Sequence, residues 1–338
     1  MRIVVDGMGG DNAPAAIVQG CVDAAAVISD QIFIVGDESL IYKELDKYKY
    51  NHEQITVVHA SDVITNDDAP VRAVRTKTES SMVKGITMIK EQQADLFISA
   101  GNTGAMMAGG LFILGRIQGI DRPALAATYP ILLGKGVSLL VDSGANVECK
   151  PNNLLEYATM GSIYMQKVLD VVNPSVGLVN VGSEENKGTT IIKSAYEMLC
   201  RSNLNFHGNV EARDVPKGVC DVIVCDGFVG NVILKLTEGL AWSILKLLKV
   251  KFTTGLISKV GALLLAGKFK EIKAEFDYSE YGGAPILGVK GAMVKMHGSS
   301  SANAVKNTIL KGIPFAENNV VQVIQDSVLE MEEVIISE

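Results

Sequence analysis

The chain has 338 residues, 48% apolar and 20% charged, which is enough to bury a large core and excludes a disordered or small disulfide-stapled protein. Its net charge of −7 argues against nucleic acid as a partner. Five cysteines (Cys21, Cys149, Cys200, Cys220, Cys225), odd in number and without CxxC or His/Cys ligand spacing, predict free thiols, no metal site and a cytoplasmic setting.

Arg2-Ile3-Val4-Val5 opens as a strand rather than as a charged and then apolar leader. Nowhere do 18 apolar residues run together, so the expectation is neither signal peptide nor spanning helix. One unit then recurs: a short β-branched run, a polar loop rich in Gly and Asp or Asn, and a helical stretch. Ile3 to Val5 leads into Asp6-Gly7-Met8-Gly9-Gly10-Asp11-Asn12-Ala13-Pro14, after which Ile17, Val18, Cys21, Val22 and Ala25 share one helical face. Following Pro70, a polar loop carries Arg72, Arg75 and Lys77. That cluster reads either as a grip for an acidic carrier protein or as an ordinary solvated face.

Leu96-Phe97-Ile98 leads into Ser99-Ala100-Gly101-Asn102-Thr103-Gly104, and Val137 to Val141 into Asp142-Ser143-Gly144-Ala145-Asn146. Val176 to Val179 leads into Asn180 and a loop ending Asn186-Lys187-Gly188; Val222 to Val224 leads through Cys225, read as buried filler, into Asp226-Gly227-Phe228-Val229-Gly230-Asn231. Near-continuous apolar strands alternating with helices predict an α/β fold, a doubly wound and mostly parallel sheet with helices on both faces. Right-handed crossovers would set these five loops along one edge, where such sheets bind ligands.

From Trp242 to Phe269 the pattern changes to an amphipathic helix and a second apolar stretch containing Leu256, Ile257, Val260, Leu263, Leu264 and Leu265. Seven lysines (246, 249, 251, 259, 268, 270, 273) stand against Glu271, and glycines at 255, 261 and 267 predict two helices turning at an apolar tip. An apolar tip ringed by cations suits an anionic membrane surface; the same residues suit a dimer partner. The expectation is one domain over 1–338 with a protruding helical hairpin at 240–275.

Gly-rich loops at helix starts present N–H groups to anions, although neither a P-loop nor a GxGxxG fingerprint is present and each glycine also serves a tight turn. Lys187, at a loop end beside Gly188, reads as a phosphate or oxyanion partner or as a solvated lysine pairing with Glu184 or Glu185. Asp226 and Asn231 read as site residues or as caps. For Asp6, Asp11 and Asp142 the choice is between caps, ligand contacts and a divalent cation site, which spacing does not decide. His297 before Gly298-Ser299-Ser300 reads as a substrate contact or as part of a helix cap.

Seven motifs in order resemble the PlsX-type acyl-ACP:phosphate acyltransferases of phospholipid synthesis: Asp6 to Pro14, Ser99 to Ala105, Asp142 to Asn146, Gly208-Asn209-Val210-Glu211, Cys225 to Asn231, Tyr281-Gly282-Gly283-Ala284-Pro285 and His297-Gly298-Ser299-Ser300. Ala212 stands where that family's pattern has Gly. The resemblance implies a fold similar to phosphotransacetylases and to isocitrate/isopropylmalate dehydrogenases. It also implies a homodimer, peripheral membrane association and transfer of a fatty acyl group from acyl carrier protein to inorganic phosphate, without cofactor. On that basis Lys187, Asn231, Asp226 and Asn180 are the expected catalytic residues. Asp6, Gly7, Gly101, Asn102, Thr103, Gly104, Asp142, Gly144, Asn146, Gly227, Gly230 and His297 are the expected substrate contacts. The rival readings are a metal- and nicotinamide-dependent decarboxylating dehydrogenase using Asp142 or Asp226, and a non-catalytic carrier-protein scaffold.

Overall fold

A computed structural model describes residues 1–132, 134, 136–275 and 282–337. Tyr281 and the side chains of Leu256, Ile257, Lys270 and Lys273 lie outside the described residues. The strands are β1 (Arg2–Asp6), β2 (Gln31–Gly36), β3 (Ile55–His59), β4 (Leu96–Ser99), β5 (Ala124–Pro130) and β6 (Val137–Val141). They continue as β7 (Ser175–Asn180), β8 (Asn205–Glu211), β9 (Val222–Val224), β10 (Ala284–Leu287) and β11 (Ala292–Lys295). Together they form one sheet in the order β3-β2-β1-β4-β11-β10-β5-β6-β9-β7-β8.

The helices of the first half are α1 (Ala15–Ala25), α2 (Glu38–Leu45), α3 (Pro70–Thr76), α4 (Ser81–Lys90), α5 (Thr103–Gly109) and α6 (Pro151–Val168). Those of the second are α7 (Thr190–Arg201), α8 (Gly227–Phe252), α9 (Leu256–Leu264), α10 (Ala266–Glu275), α11 (Ala302–Glu317) and α12 (Val320–Ser337). The strands are apolar on both faces because both are covered. Ile3 and Val5 of β1 pack with Ile17, Cys21, Val305 and Ile309, whereas Val4 packs with Met82, Val83 and Ile86.

The pairing corrects the single-edge expectation. β3, β2, β1, β4 and β11 are mutually parallel, and so are β6, β9, β7 and β8. Between these blocks, β10 is antiparallel to both β11 and β5, and β6 is antiparallel to β5. Three reversals leave the two blocks running in opposite senses. The loop after β6 nevertheless shares a cavity with the other block's loops, Ser143 and Gly144 lining it together with Gly101 and Lys295, and it is held on β5 by Ser143 N–H, which donates to the Leu125 carbonyl at 2.8 Å.

The expected polar loop at Arg72 is a helix instead. Pro70 presets the first turn of α3, and Ala73 and Val74 are buried. Arg72 and Arg75 remain exposed, Arg75 with its guanidinium 4.9 Å from the Phe112 ring centroid. Lys77 is tied inward, donating to Asp68 at 2.9 Å and to the Val63 carbonyl at 2.8 Å.

The hairpin region also differs from its expected bounds. α8 starts in the core at Gly227 and runs 26 residues outward; α9 and α10 then fold back, with the Phe252 and Phe269 rings 5.1 Å apart. By length and composition alone α8 is apolar enough to cross a membrane. Its first turns are fixed against β5 and β6, so its free length is the outer part.

Candidate functional site

β6 ends in a buried aspartate that organises the next four residues. Asp142 Oδ1 accepts from the N–H groups of Leu125 (3.1 Å), Gly144 (3.1 Å) and Ala145 (3.0 Å). Its Oδ2 accepts from Asn146 N–H (2.7 Å) and Asn146 Nδ2 (3.0 Å). Burial pushes the carboxyl's pKa up, and these five donors oppose it by stabilising the anion. With both oxygens engaged, Asp142 acts as a loop anchor rather than as an open ligand, and among the described residues no group of three His, Cys, Asp or Glu side chains could hold a metal.

The first turn of α8 is pressed against this loop. Asp226 caps it, accepting from Val229 N–H at 2.8 Å, and Gly227 N–H donates to the Asn146 carbonyl at 2.7 Å. A Cβ on Gly230 would overlap the Asp142 carbonyl oxygen, and one on Gly227 would stand 2.7 Å from that of Asn146. Glycine is required here for close approach.

The other block ends in a matching assembly. Buried Asp6 accepts from Ser99 Oγ at 2.7 Å and from Met8 N–H at 3.2 Å, while Ser99 Oγ accepts from Gly101 N–H at 3.0 Å. Gly7 N–H donates to the Val35 carbonyl at 2.8 Å. Asn102 caps α5 through Ala105 N–H at 3.0 Å and reaches the Thr65 carbonyl at 3.2 Å; Gly104 lies against Pro70 of α3. The loop at 297–300 joins them through Asp11 N–H to the Gly298 carbonyl at 2.8 Å.

A cavity of about 480 Å³ lies between the two assemblies, lined by Gly101, Thr103, Gly144, Asn231, Lys295 and His297 among others. Two lysines line it: Lys235, which is exposed and paired with Glu238 at 2.8 Å, and buried Lys295, the last residue of β11, 8% exposed, whose Nζ donates to the Met296 carbonyl. Burial pulls the Lys295 pKa down to about 8, against the attraction of Asp6. His297 Nδ1 is 2.8 Å from Ser299 Oγ, and burial lowers its pKa as well. The Asn231 amide makes no hydrogen bond to any described residue and stands exposed at the cavity wall.

A second cavity, about 1010 Å³, opens at the ends of β7, β8 and β9, and Asn180, Gly188 and Asp226 line it. Thus Gly101, Thr103, Gly144, Asn231 and His297 come together in the smaller cavity, while Asn180 and Asp226 face the larger one. Asp6, Gly7, Asn102, Gly104, Asp142, Asn146, Gly227 and Gly230 line neither cavity. Lys187 lines neither cavity; it is exposed, and its ammonium is 3.9 Å from Glu184. Asn180 holds that same loop, donating to the Lys187 carbonyl at 3.2 Å. The sequence reading missed Lys295, whose one local signal is a lysine closing the apolar run Ala292-Met293-Val294.

Residues 1–323 match the family described as "Fatty acid synthesis protein". The chain is 55% identical over 328 residues to a phosphate acyltransferase of Alkaliphilus oremlandii, covering 97% of each protein. It is 49% identical to a phosphate acyltransferase of Clostridioides difficile, covering 95% of this chain and 94% of that protein. Among solved structures it is similar to a phosphotransacetylase of Streptococcus pyogenes, with a TM-score of 0.62 at 16% identity over 94% of both chains. It is also similar to a 4-hydroxythreonine-4-phosphate dehydrogenase of Klebsiella pneumoniae, with a TM-score of 0.52 at 12% identity over 94% of this chain and 99% of that one. At such identities the structural likeness speaks for the fold alone.

Proposed function

The chain belongs to this family of fatty acid synthesis proteins and catalyses acyl transfer to phosphate, and we propose that phosphate directly attacks a fatty acyl thioester carried by acyl carrier protein. The observation that carries the mechanism is the smaller cavity, where buried Lys295, the Asn231 amide and the helix turn starting at Thr103 line one space. A buried ammonium has a poor environment until an anion enters; phosphate supplies the missing charge.

In this scheme Lys295 and first-turn N–H groups of α5 seat hydrogen phosphate dianion. An unprotonated phosphate oxygen attacks the thioester carbon, forming the C–O bond. Asn231 donates to the oxyanion that develops on the carbonyl oxygen. As the tetrahedral adduct collapses, the C–S bond breaks and its electron pair leaves on sulfur. The phosphate's remaining proton ends on the thiolate, giving acyl phosphate and free thiol. Both reactants bring adequate intrinsic reactivity, so the protein's contribution is alignment and a fixed electrostatic environment. Asp226 orders the α8 turn that presents Asn231, and Asn180 orders the loop carrying Lys187.

Exposed Arg72 and Arg75 are the cations offered to the acidic carrier, and Lys77, held by Asp68, stiffens the end of their helix. The apolar tip of α9 meets an anionic membrane surface from the cytoplasmic side, and the outer stripe of α8 meets a second copy of the chain. The reading is tested by mixing the protein with acyl carrier protein loaded with palmitate and measuring free thiol. Release that requires phosphate and yields acyl phosphate is expected; thiol release without phosphate would make the protein a thioesterase and end the proposal.

A further inference from the structure

We propose that Lys235 is a second cation of the phosphate seat, and that its ion pair with Glu238 gives way to the entering dianion. This deepens the acyl-transfer reading and rests on its placement of phosphate beside Lys295. Asn231, Lys235 and Glu238 follow one another at spacings of four and three along α8, so they share one helical face. All three line the smaller cavity together with Lys295 and His297. The Lys235 ammonium donates to the Glu238 carboxylate at 2.8 Å, and the two side chains are 51% and 24% exposed, so the pair stands in contact with water.

Charge balance is why one lysine is not enough. Hydrogen phosphate carries two negative charges, and Lys295 supplies at most one positive charge. Burial pulls the Lys295 pKa down to about 8; Lys235 adds to that depression, while Asp6 of β1 and Asp11 of the following loop oppose it. His297 does not make up the difference. Burial first, then Lys235 and Lys295, lower its pKa against the pull of Glu238 and Asp11, so its ring is uncharged near neutral pH. Among the described residues that line the cavity, Lys235 is the remaining cation and Glu238 is the one carboxylate. Paired, their charges cancel; separated, Lys235 brings a full charge to the anion. The exchange is an easy one, because partners three residues apart on a solvated helix face hold each other weakly. An ammonium donating to a phosphate oxygen makes a charge-assisted bond of the stronger kind, and a dianion there also relieves the repulsion between Lys235 and Lys295.

The experiment measures KM for phosphate, with palmitoyl-loaded acyl carrier protein as donor, in Lys235→Met, Glu238→Gln, the double variant and Lys295→Ala. Losing a bond between charged partners costs about tenfold or more in affinity. Lys235→Met should therefore raise KM for phosphate about tenfold, with kcat little changed and KM for the loaded carrier unaltered. Glu238→Gln should lower KM for phosphate, and that gain should be lost in the double variant, because Glu238 acts by holding Lys235. The pH profile adds a reading that a merely structural side chain would not move. Without the Lys235 charge, Lys295 keeps its proton to higher pH, so the alkaline rise in phosphate KM should begin above its wild-type position. A phosphate KM unchanged in Lys235→Met but raised in Lys295→Ala would leave Lys295 in the seat and remove Lys235 from it. No change in either would dissolve the phosphate seat itself. An equal gain from Glu238→Gln with and without Lys235 would mean that Glu238 only repels the anion, and a raised KM for the carrier in place of phosphate would assign Lys235 to the thioester side; each overturns the proposal.

Discussion

Asn146 holds the Asp142 carboxylate twice, by its backbone N–H at 2.7 Å and by its side-chain amide at 3.0 Å. With Leu125, Gly144 and Ala145 donating to the other oxygen, one buried side chain sets the loop against which α8 begins. Asp142→Ala strands several buried donors at once. Each donor deprived of a charged acceptor costs roughly 1.5–3 kcal/mol, so a loss of about 4 kcal/mol or more is expected in urea unfolding. Asp142→Asn keeps the shape but turns one acceptor into a donor and should recover little of that loss. A midpoint equal to wild type in either variant would mean that the loop is held by other contacts.

Lys295 and Lys187 are separated by a kinetic criterion. Lys295 is buried on the phosphate side, and Lys187 is exposed in an ion pair with Glu184 outside both cavities. Lys295→Ala is expected to raise KM for phosphate and to lower kcat/KM by about 100-fold, the scale of losing a transition-state donor. Lys187→Ala should leave KM for phosphate at its wild-type value. A reversed ranking would move the phosphate site to the β7 loop.

The same lysine links pH to stability and to activity. Its folded pKa, about 8, is below the ordinary 10.5, so folding disfavours the ammonium. The resulting stability is fully present above pH 10.5 and is lost as pH falls through about 8; at pH 7 the penalty is on the order of 3 kcal/mol. Lys295→Met should therefore unfold at higher denaturant than wild type at pH 7, with the difference shrinking between pH 8 and 10.5. Phosphate saturation has the opposite dependence: wild-type affinity should weaken as pH rises through about 8 because the cation is lost. A wild-type phosphate KM that stays flat from pH 7 to 9.5 would exclude Lys295 as the anchoring charge.

What the sequence makes legible is local. β1, β4, β6, β7 and β9 stand out because each is an apolar run stopped by a Gly-rich polar loop. The opposed senses of the two blocks are not legible, since they depend on β10 and β11, near the end of the chain, inserting between β4 and β5. No spacing rule sees that insertion. Lys295 is missed for a related reason: a lysine after Met293-Val294 looks like a solvated strand end, and tertiary packing alone reveals that it is buried. At Arg72 the two small residues Ala73 and Val74 carry too little apolar pattern to separate a short helix from a loop.

The outer helices offer two apolar surfaces that different measurements separate. On α8, Val232, Leu236, Leu240, Ile244 and Leu247 are exposed at spacings of four, four, four and three, a ridge suited to another helix. On α9, Leu263 and Leu264 are 77% and 80% exposed beside Lys259 and Lys268, a geometry suited to anionic lipid. Leu236→Asp with Leu240→Asp should convert a dimeric mass in light scattering to a monomeric one. Leu263→Glu with Leu264→Glu should abolish sedimentation with phosphatidylglycerol-containing vesicles while leaving the mass and the turnover of soluble substrate unchanged, because neither residue lines either cavity. If the α9 variant still sedimented but became monomeric, the tip would belong to the subunit contact, and the lysines around it would need another partner.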